Sequence, residues 1–173
     1  ALAPVAILIV SGYSYTKRFT TLSHLILGLS LALAPIGAWI AITGQLALSA
    51  VVLGTAVLFW VAGFDILYAL MDIEFDRRTG LFSIPARLGE QGGMAVAGLC
   101  HIATVACLTL LIPLLSLGKV YSAGLFLAMA LLLYEHWLLY KHGLAKLNVA
   151  FFNVNGALSI GMFLFTLGDL LLG

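Results

Sequence analysis

Four carboxylates stand at short intervals where a long apolar run ends. Asp65, Asp72, Glu74 and Asp76 lie within Gly63-Phe-Asp-Ile-Leu-Tyr-Ala-Leu-Met-Asp-Ile-Glu-Phe-Asp-Arg-Arg-Thr-Gly80. A carboxylate at mid-membrane depth costs roughly 2.5–3.5 kcal/mol on insertion scales, so such residues usually serve a function. Asp72 and Asp76 are spaced i,i+4 and share a helix face, with Cβ atoms about 5–6 Å apart. At an effective dielectric near 20, two negative charges about 6 Å apart repel by roughly 3 kcal/mol. A divalent cation between them is the natural remedy. Oxygen ligands with room left for water and substrate suit Mg²⁺, which takes one or two carboxylates plus substrate phosphates. Asp65 is seven residues before Asp72, so a continuous helix puts Asp65, Asp72 and Asp76 near one stripe. Glu74 fits a solvated helix end, paired within the helix to Arg77 or Arg78.

A second group stands upstream, in Tyr13-Ser-Tyr-Thr-Lys17-Arg18. Tyr13 and Lys17 are also i,i+4, so a phenol and an ammonium share a face. Such donors suit a diphosphate, where charge develops on a leaving oxygen. An interfacial tyrosine followed by basic anchors has the same pattern. Acidic metal ligands and basic donors together describe a site for a metal-bridged polyphosphate, with apolar walls able to hold a long hydrocarbon tail.

The elements that must position these groups are membrane helices. The chain of 173 residues is 63% apolar and only 9% charged, against about 25% charged in water-soluble domains. Spans of about 20 apolar residues fall at roughly 1–14, 22–42, 46–70, 93–117, 120–140 and 149–172, giving an all-α, multi-pass transmembrane helical bundle in a single membrane domain. The longest polar connection, about 71 to 92, contains Gly80, Pro85 and Gly89, and its first part is expected to extend the third helix. Eight of the 15 charged residues lie between Asp65 and Glu90. With connections alternating between membrane sides, Lys17, Arg18, Arg77, Arg78, Arg87, Lys141 and Lys146 share one side and Lys119 lies opposite. That bias assigns the basic side, and the acidic cluster with it, to the cytoplasm. A net charge of +1 without a long basic run gives no reason to expect nucleic acid. Ala1 opens inside an apolar stretch without the basic region of a signal peptide, and the chain is expected to begin inside a longer protein.

The two constellations in this order resemble the UbiA superfamily of intramembrane prenyltransferases. Tyr13-Ser-Tyr-Thr-Lys17 is similar to that family's Tyr-x-x-x-Lys, and Asp72-Ile-Glu-Phe-Asp76 to its second Asp-x-x-x-Asp motif. Asp65-Ile-Leu-Tyr68-Ala, Gly80-Leu-Phe-Ser83-Ile-Pro-Ala-Arg87-Leu-Gly89 and Phe151-Phe-Asn-Val-Asn155-Gly resemble its flanks and last helix. The resemblance implies Mg²⁺-dependent transfer of a polyprenyl group from an isoprenyl diphosphate to an aromatic acid such as 4-hydroxybenzoate, in ubiquinone or menaquinone synthesis. The form of the motifs looks closest to bacterial 4-hydroxybenzoate polyprenyltransferase-like members, and a naphthoate acceptor is the alternative. It further implies Asp72 and Asp76 as Mg²⁺ ligands, Asp65 lining the site or acting through a neighbour, and Lys17 and Tyr13 holding the departing diphosphate. Arg18, Arg77, Arg78 and Asn155 become substrate contacts, and the ring of Tyr68 a shield for an allylic cation. The expected location is a bacterial inner membrane. The family's first acidic motif, Asn-Asp-x-x-Asp-x-x-x-Asp, has no match here, and about nine helices are usual. The chain is therefore expected to lack roughly three N-terminal helices and to be inactive alone.

Other polar residues carry ordinary expectations. His24, His101, His136 and His142 show no ligand spacing. Cys100 and Cys107 form no metal motif. Glu135 and Asp169 are expected at interfaces, and Asn153 and Asn155 in interhelical hydrogen bonds, since amides in a membrane helix need partners. Pro35 and Pro113 should kink helices or mark their ends. An ion-coupled transporter using Asp65 and Asp72 is the rival class, though transporters more often show broken helices or repeated halves at the midplane. A CDP-alcohol phosphotransferase should show Asp-Gly…Ala-Arg before its later aspartates, whereas Ala86-Arg87 follows them.

Overall fold

The computed structural model describes residues 3–147 and 149–172, so residues 1 and 2 of the first expected segment lie outside the described residues. The order is α1 (Ala3–Thr16), α2 (Ser23–Thr43), α3 (Leu48–Tyr68), a 3-10 turn (Ala69–Asp72), α4 (Ile73–Thr79), α5 (Ile84–Leu115), α6 (Lys119–His142), a 3-10 turn (Gly143–Lys146), a π-turn (Val149–Val154) and α7 (Asn155–Leu172). No strand occurs among the described residues, as the all-α reading requires. Five helical stretches are long and apolar enough to cross a membrane, beginning at Ser23, Leu48, Ile84, Lys119 and Phe152. Their outer faces are apolar: Leu99, Ile102, Phe126 and Leu133 stand exposed, which suits a lipid solvent, where backbone polarity is satisfied inside each helix.

The chain divides into two compact units, Ala1–Thr104 and Val105–Gly173. In the first, α2 and α3 pack closely because small residues line their contact. A Cβ on Gly28 would collide with the backbone carbonyl of Leu58, and Ala32, Ala50 and Ala56 are buried around the same contact. Without hydrocarbon–water contrast between helices, such close approach of backbones is what holds them. The first half of α5 joins this pair: Thr104 Oγ1 lies 3.4 Å from the Ala56 carbonyl, and His101 packs against Gly63. Pro35 sits inside α2 and Pro113 in the last turn of α5.

In the second unit α6 packs on α7, with Gly124 receiving the Phe165 ring. The Tyr121 hydroxyl donates to the Leu108 carbonyl at 2.9 Å. Glu135 and Asp169, expected near the membrane faces, are also buried against protein. The Asn155 amide donates to Glu135 Oε1 at 3.0 Å. Asp169 accepts from the amides of Gly118, Val120 and Tyr121 at 2.6, 3.1 and 3.1 Å. A carboxylate there satisfies donors that a helix N-terminus leaves open.

The fourth apolar segment begins earlier than hydropathy suggests. Its helix starts at Ile84 rather than near 93, because Ser83 caps it: Ser83 Oγ accepts from the Ala86 amide at 3.1 Å. Pro85 is tolerated in a first turn, where its missing N–H has no acceptor to lose. Gly89, at φ 75° and ψ −178°, breaks the helical path once.

Candidate active site

The chain between Asp65 and Ser83 sets the site. The apolar sequence Ala69-Leu-Met contains no breaker, yet it tightens to 3-10 before α4 begins. A 3-10 turn advances about 120° per residue against about 100° in an α-helix. Four such residues carry Asp72 about 80° further round the axis than a continuous α-helix would. Asp72 and Asp76 still share a face, Asp72 standing at the N-cap of α4 and Asp76 one turn on. Asp65 does not join their stripe, contrary to the expectation from spacing alone.

Asp76 is held from behind by its own backbone. Its carbonyl receives the amides of Gly80 and Leu81, the latter at 2.8 Å. This is a Schellman-type stop that needs the left-handed φ of 70° at Gly80. The Asp76 side chain is 2% exposed, and Lys17 Nζ lies 3.8 Å from its Oδ2. That oxygen has no hydrogen-bond partner among the described residues. Lys17 is brought there by a backbone contact: the Phe82 amide donates to the Lys17 carbonyl at 2.7 Å. α1 ends at Thr16, whose hydroxyl turns back to the Tyr13 carbonyl. Lys17 therefore lies in the turn after α1 rather than on Tyr13's helix face.

The two members of that motif consequently face different surroundings. Lys17 reaches the acid, whereas Tyr13 lines an apolar cavity of about 570 Å³ with Val10, Leu27, Pro35, Trp60 and Phe64. A second cavity of about 400 Å³ holds Thr21, Asp76, Arg77, Ser83 and Arg87. Arg77 Nε donates to the Ala86 carbonyl at 2.8 Å, which fixes its guanidinium at this cavity. Arg78 turns to exposed Glu74 at 3.3 Å, the intrahelical pair expected for that acid. Arg18 lies over the Tyr15 ring, 5.8 Å from its centre. Tyr68 ends α3, half-buried, one turn beyond Asp65. Asn155 belongs to the second unit, where Glu135 accepts from it.

One neighbour of the candidate site escaped sequence reading. His24, expected to play an ordinary interfacial or packing role, is fully buried, and its Nδ1 lies 2.6 Å from Asp65 Oδ2. Nothing in the local sequence announces a partner 41 residues away. A carboxylate inside an apolar run does, however, call for a donor on a neighbouring helix. No cluster of three or more His, Cys, Asp or Glu with metal-binding geometry occurs among the described residues. Any cation at Asp72 and Asp76 would complete its shell with water or substrate oxygens.

Known proteins are similar to this chain in sequence and in fold. Residues 1–166 match the UbiA prenyltransferase family. A 4-hydroxybenzoate octaprenyltransferase from Nitrosospira multiformis is 32% identical over 151 residues, covering 87% of this chain and 52% of the relative. A 4-hydroxybenzoate solanesyltransferase from Synechocystis is 35% identical over 127 residues, 73% of this chain and 43% of that protein. The chain thus spans about half the length of the curated relatives it matches. The apo structure of a UbiA homologue from Aeropyrum pernix K1 matches with a TM-score of 0.86 at 32% identity, over 98% of this chain and 63% of that one. With the match running almost end to end in both sequence and fold, the chain belongs to the UbiA prenyltransferase family.

Proposed function

We propose that the full-length protein is a Mg²⁺-dependent prenyltransferase of quinone synthesis. It would move a polyprenyl group from an isoprenyl diphosphate to an aromatic acid, 4-hydroxybenzoate or a naphthoate. The observation that carries this reading is the buried Asp76 carboxylate, with an unbonded oxygen facing the Lys17 ammonium, in a cavity of about 400 Å³ that Arg77 and Arg87 also line. The names of the relatives support the acceptor class, and none of those reported above is a transporter.

A hard, anionic oxygen left without a donor suits a divalent cation, and Asp72 supplies a second carboxylate one turn away. Asp72 and Asp76 would hold the ion, which when bound draws charge from the diphosphate and eases its departure. Lys17 donates to a diphosphate oxygen as the carbon–oxygen bond breaks, when the negative charge there grows. Arg77, fixed by Ala86, adds positive charge on the same side, and Arg18 and Arg78 lie further out. The apolar cavity under Tyr13, Trp60 and Phe64 takes the isoprenoid chain and keeps water from the allylic cation. The Tyr68 ring shields that cation through its π face. The bias of basic residues supports a cytoplasmic mouth in a bacterial inner membrane.

Membranes carrying the full-length protein, given an isoprenyl diphosphate and 4-hydroxybenzoate, should form prenylated product only with Mg²⁺. Asp72→Asn and Asp76→Asn should lower turnover by about 10²-fold or more. Lys17→Gln should lower kcat about tenfold, the equivalent of one charge-assisted hydrogen bond lost in the transition state. Absence of Mg²⁺-dependent product, or full activity in Asp72→Asn, overturns the proposal.

A further inference from the structure

His24 is placed between two partners that leave its ring one protonation pattern. Nδ1 lies 2.6 Å from Asp65 Oδ2, and Nε2 accepts from the Ile84 backbone amide at 3.4 Å. Ile84 is the first residue of α5, so its N–H has no acceptor within its own helix. An amide can only donate, so Nε2 must carry a lone pair. The ring proton then sits on Nδ1 and is donated to Asp65, a tautomer fixed from both sides. One imidazole in the first turn of α2 therefore ties that helix to the last turn of α3 and to the start of α5. Leucine would fill the same space, but would leave Asp65 and the Ile84 amide without these partners.

The carboxylate so held differs from the other two. Asp65 is rotated off the Asp72–Asp76 face by the intervening 3-10 turn, and lies about 12 Å from Asp72 along the axis, toward the apolar end. Its partner in this contact is a neutral donor, where Asp76 faces an ammonium. The pairing orients one oxygen without cancelling the charge, and the side chain keeps 26% of its surface exposed. An oriented, uncompensated carboxylate on the apolar side of the diphosphate-binding residues is where a proton acceptor is needed.

We infer that His24 is a positioning residue that aims Asp65 to take the proton released by the aromatic acceptor, a role that rests on the prenyl-transfer reading above. The allylic carbon–oxygen bond breaks, and its electron pair leaves with the diphosphate. A ring π pair forms the new carbon–carbon bond. The C–H pair at that ring carbon then restores aromaticity as its proton passes to the open oxygen of Asp65. The exposed side of Asp65 returns the proton to water.

The test compares the full-length protein in membranes with His24→Leu, His24→Gln and Asp65→Asn, using 4-hydroxybenzoate with and without deuterium at the ring carbons flanking the hydroxyl. Asp65→Asn should lose about 10²-fold in kcat. His24→Leu should lose about tenfold in kcat with KM for the isoprenyl diphosphate unchanged. His24→Gln, whose amide both donates and accepts, should recover most of the rate. Proton removal should become rate-limiting in His24→Leu, so the deuterium effect on kcat rises from near one in the parent to about two or more. A variant that merely folds poorly would lower the amount of active enzyme without creating an isotope effect. If Gln is as poor as Leu, or the isotope effect stays near one in every variant, the positioning role is wrong while prenyl transfer stands. A parent with no transfer activity removes both readings.

Discussion

Replacing Asp169 by alanine should loosen the start of α6 by an amount that can be worked out from its three bonds. The Gly118 amide at 2.6 Å, and those of Val120 and Tyr121 at 3.1 Å, all point to this one side chain. Gly118 lies at the surface and water can replace its lost acceptor, whereas Tyr121 is buried and cannot be rehydrated. An unsatisfied buried amide costs about 1–3 kcal/mol, and each exposed one a good deal less. Loss of a negative charge from a helix N-terminus adds about 0.3–1 kcal/mol. The sum is about 3 kcal/mol, roughly a 10²-fold shift in the unfolding equilibrium. Reversible unfolding in mixed micelles with rising dodecyl sulfate, followed by Trp137 fluorescence on α6, measures it. Asp169→Asn keeps an acceptor oxygen but turns a donor toward part of the cluster, so it should fall between alanine and the parent. Gly118→Ala should cost less than Asp169→Ala, since its Cβ would come 3.0 Å from Asp169 Oδ1. An alanine variant within about 1 kcal/mol of the parent, or an asparagine variant worse than alanine, would refute the capping account.

Two further outcomes are expected. Gly28→Ala should destabilise the first unit by about 3 kcal/mol, because its Cβ meets a backbone carbonyl that has no rotamer to change. Gly37→Ala in the same helix meets nothing within 4 Å and should be neutral or stabilising by up to about 1 kcal/mol. The same micelle titration reads both. Glu135→Ala and Asn155→Ala, alone and together, should show a coupling of about 1 kcal/mol, in the range measured for hydrogen bonds between membrane helices. Strict additivity would show that the 3.0 Å contact carries no stability.

The parts that the sequence made legible are those governed by local rules. Lipid demands long apolar runs, so the spans could be read from hydropathy. The i,i+4 spacing of Asp72 and Asp76 survived because α4 is a true helix there. The family motifs identified the kinship that the fold bears out. Illegible were features that depend on distant partners. His24 looked ordinary because Asp65 is 41 residues away, and the partners of Glu135 and Asp169 were hidden because Asn155 and the Gly118 turn do not neighbour them in sequence. The 3-10 turn at Ala69–Asp72 was invisible because its residues favour helix of any kind. The early start of α5 had a signal that was available but outweighed. Ser83 followed by Pro85 is a helix opening, yet the glycines beyond it read as loop.

The contact between the Phe82 amide and the Lys17 carbonyl joins two motif segments through atoms that every residue type but one provides. Because the bond uses only backbone atoms, a change of side chain at 17 or 82 can alter charge or bulk at the site without loosening the distance between the two segments. The substitution that severs the link is proline at 82, which has no N–H to offer. Divergence of substrate preference and persistence of architecture are in this way assigned to different atoms of the same residues, and relatives with unlike chemistry at these positions should still share the spacing.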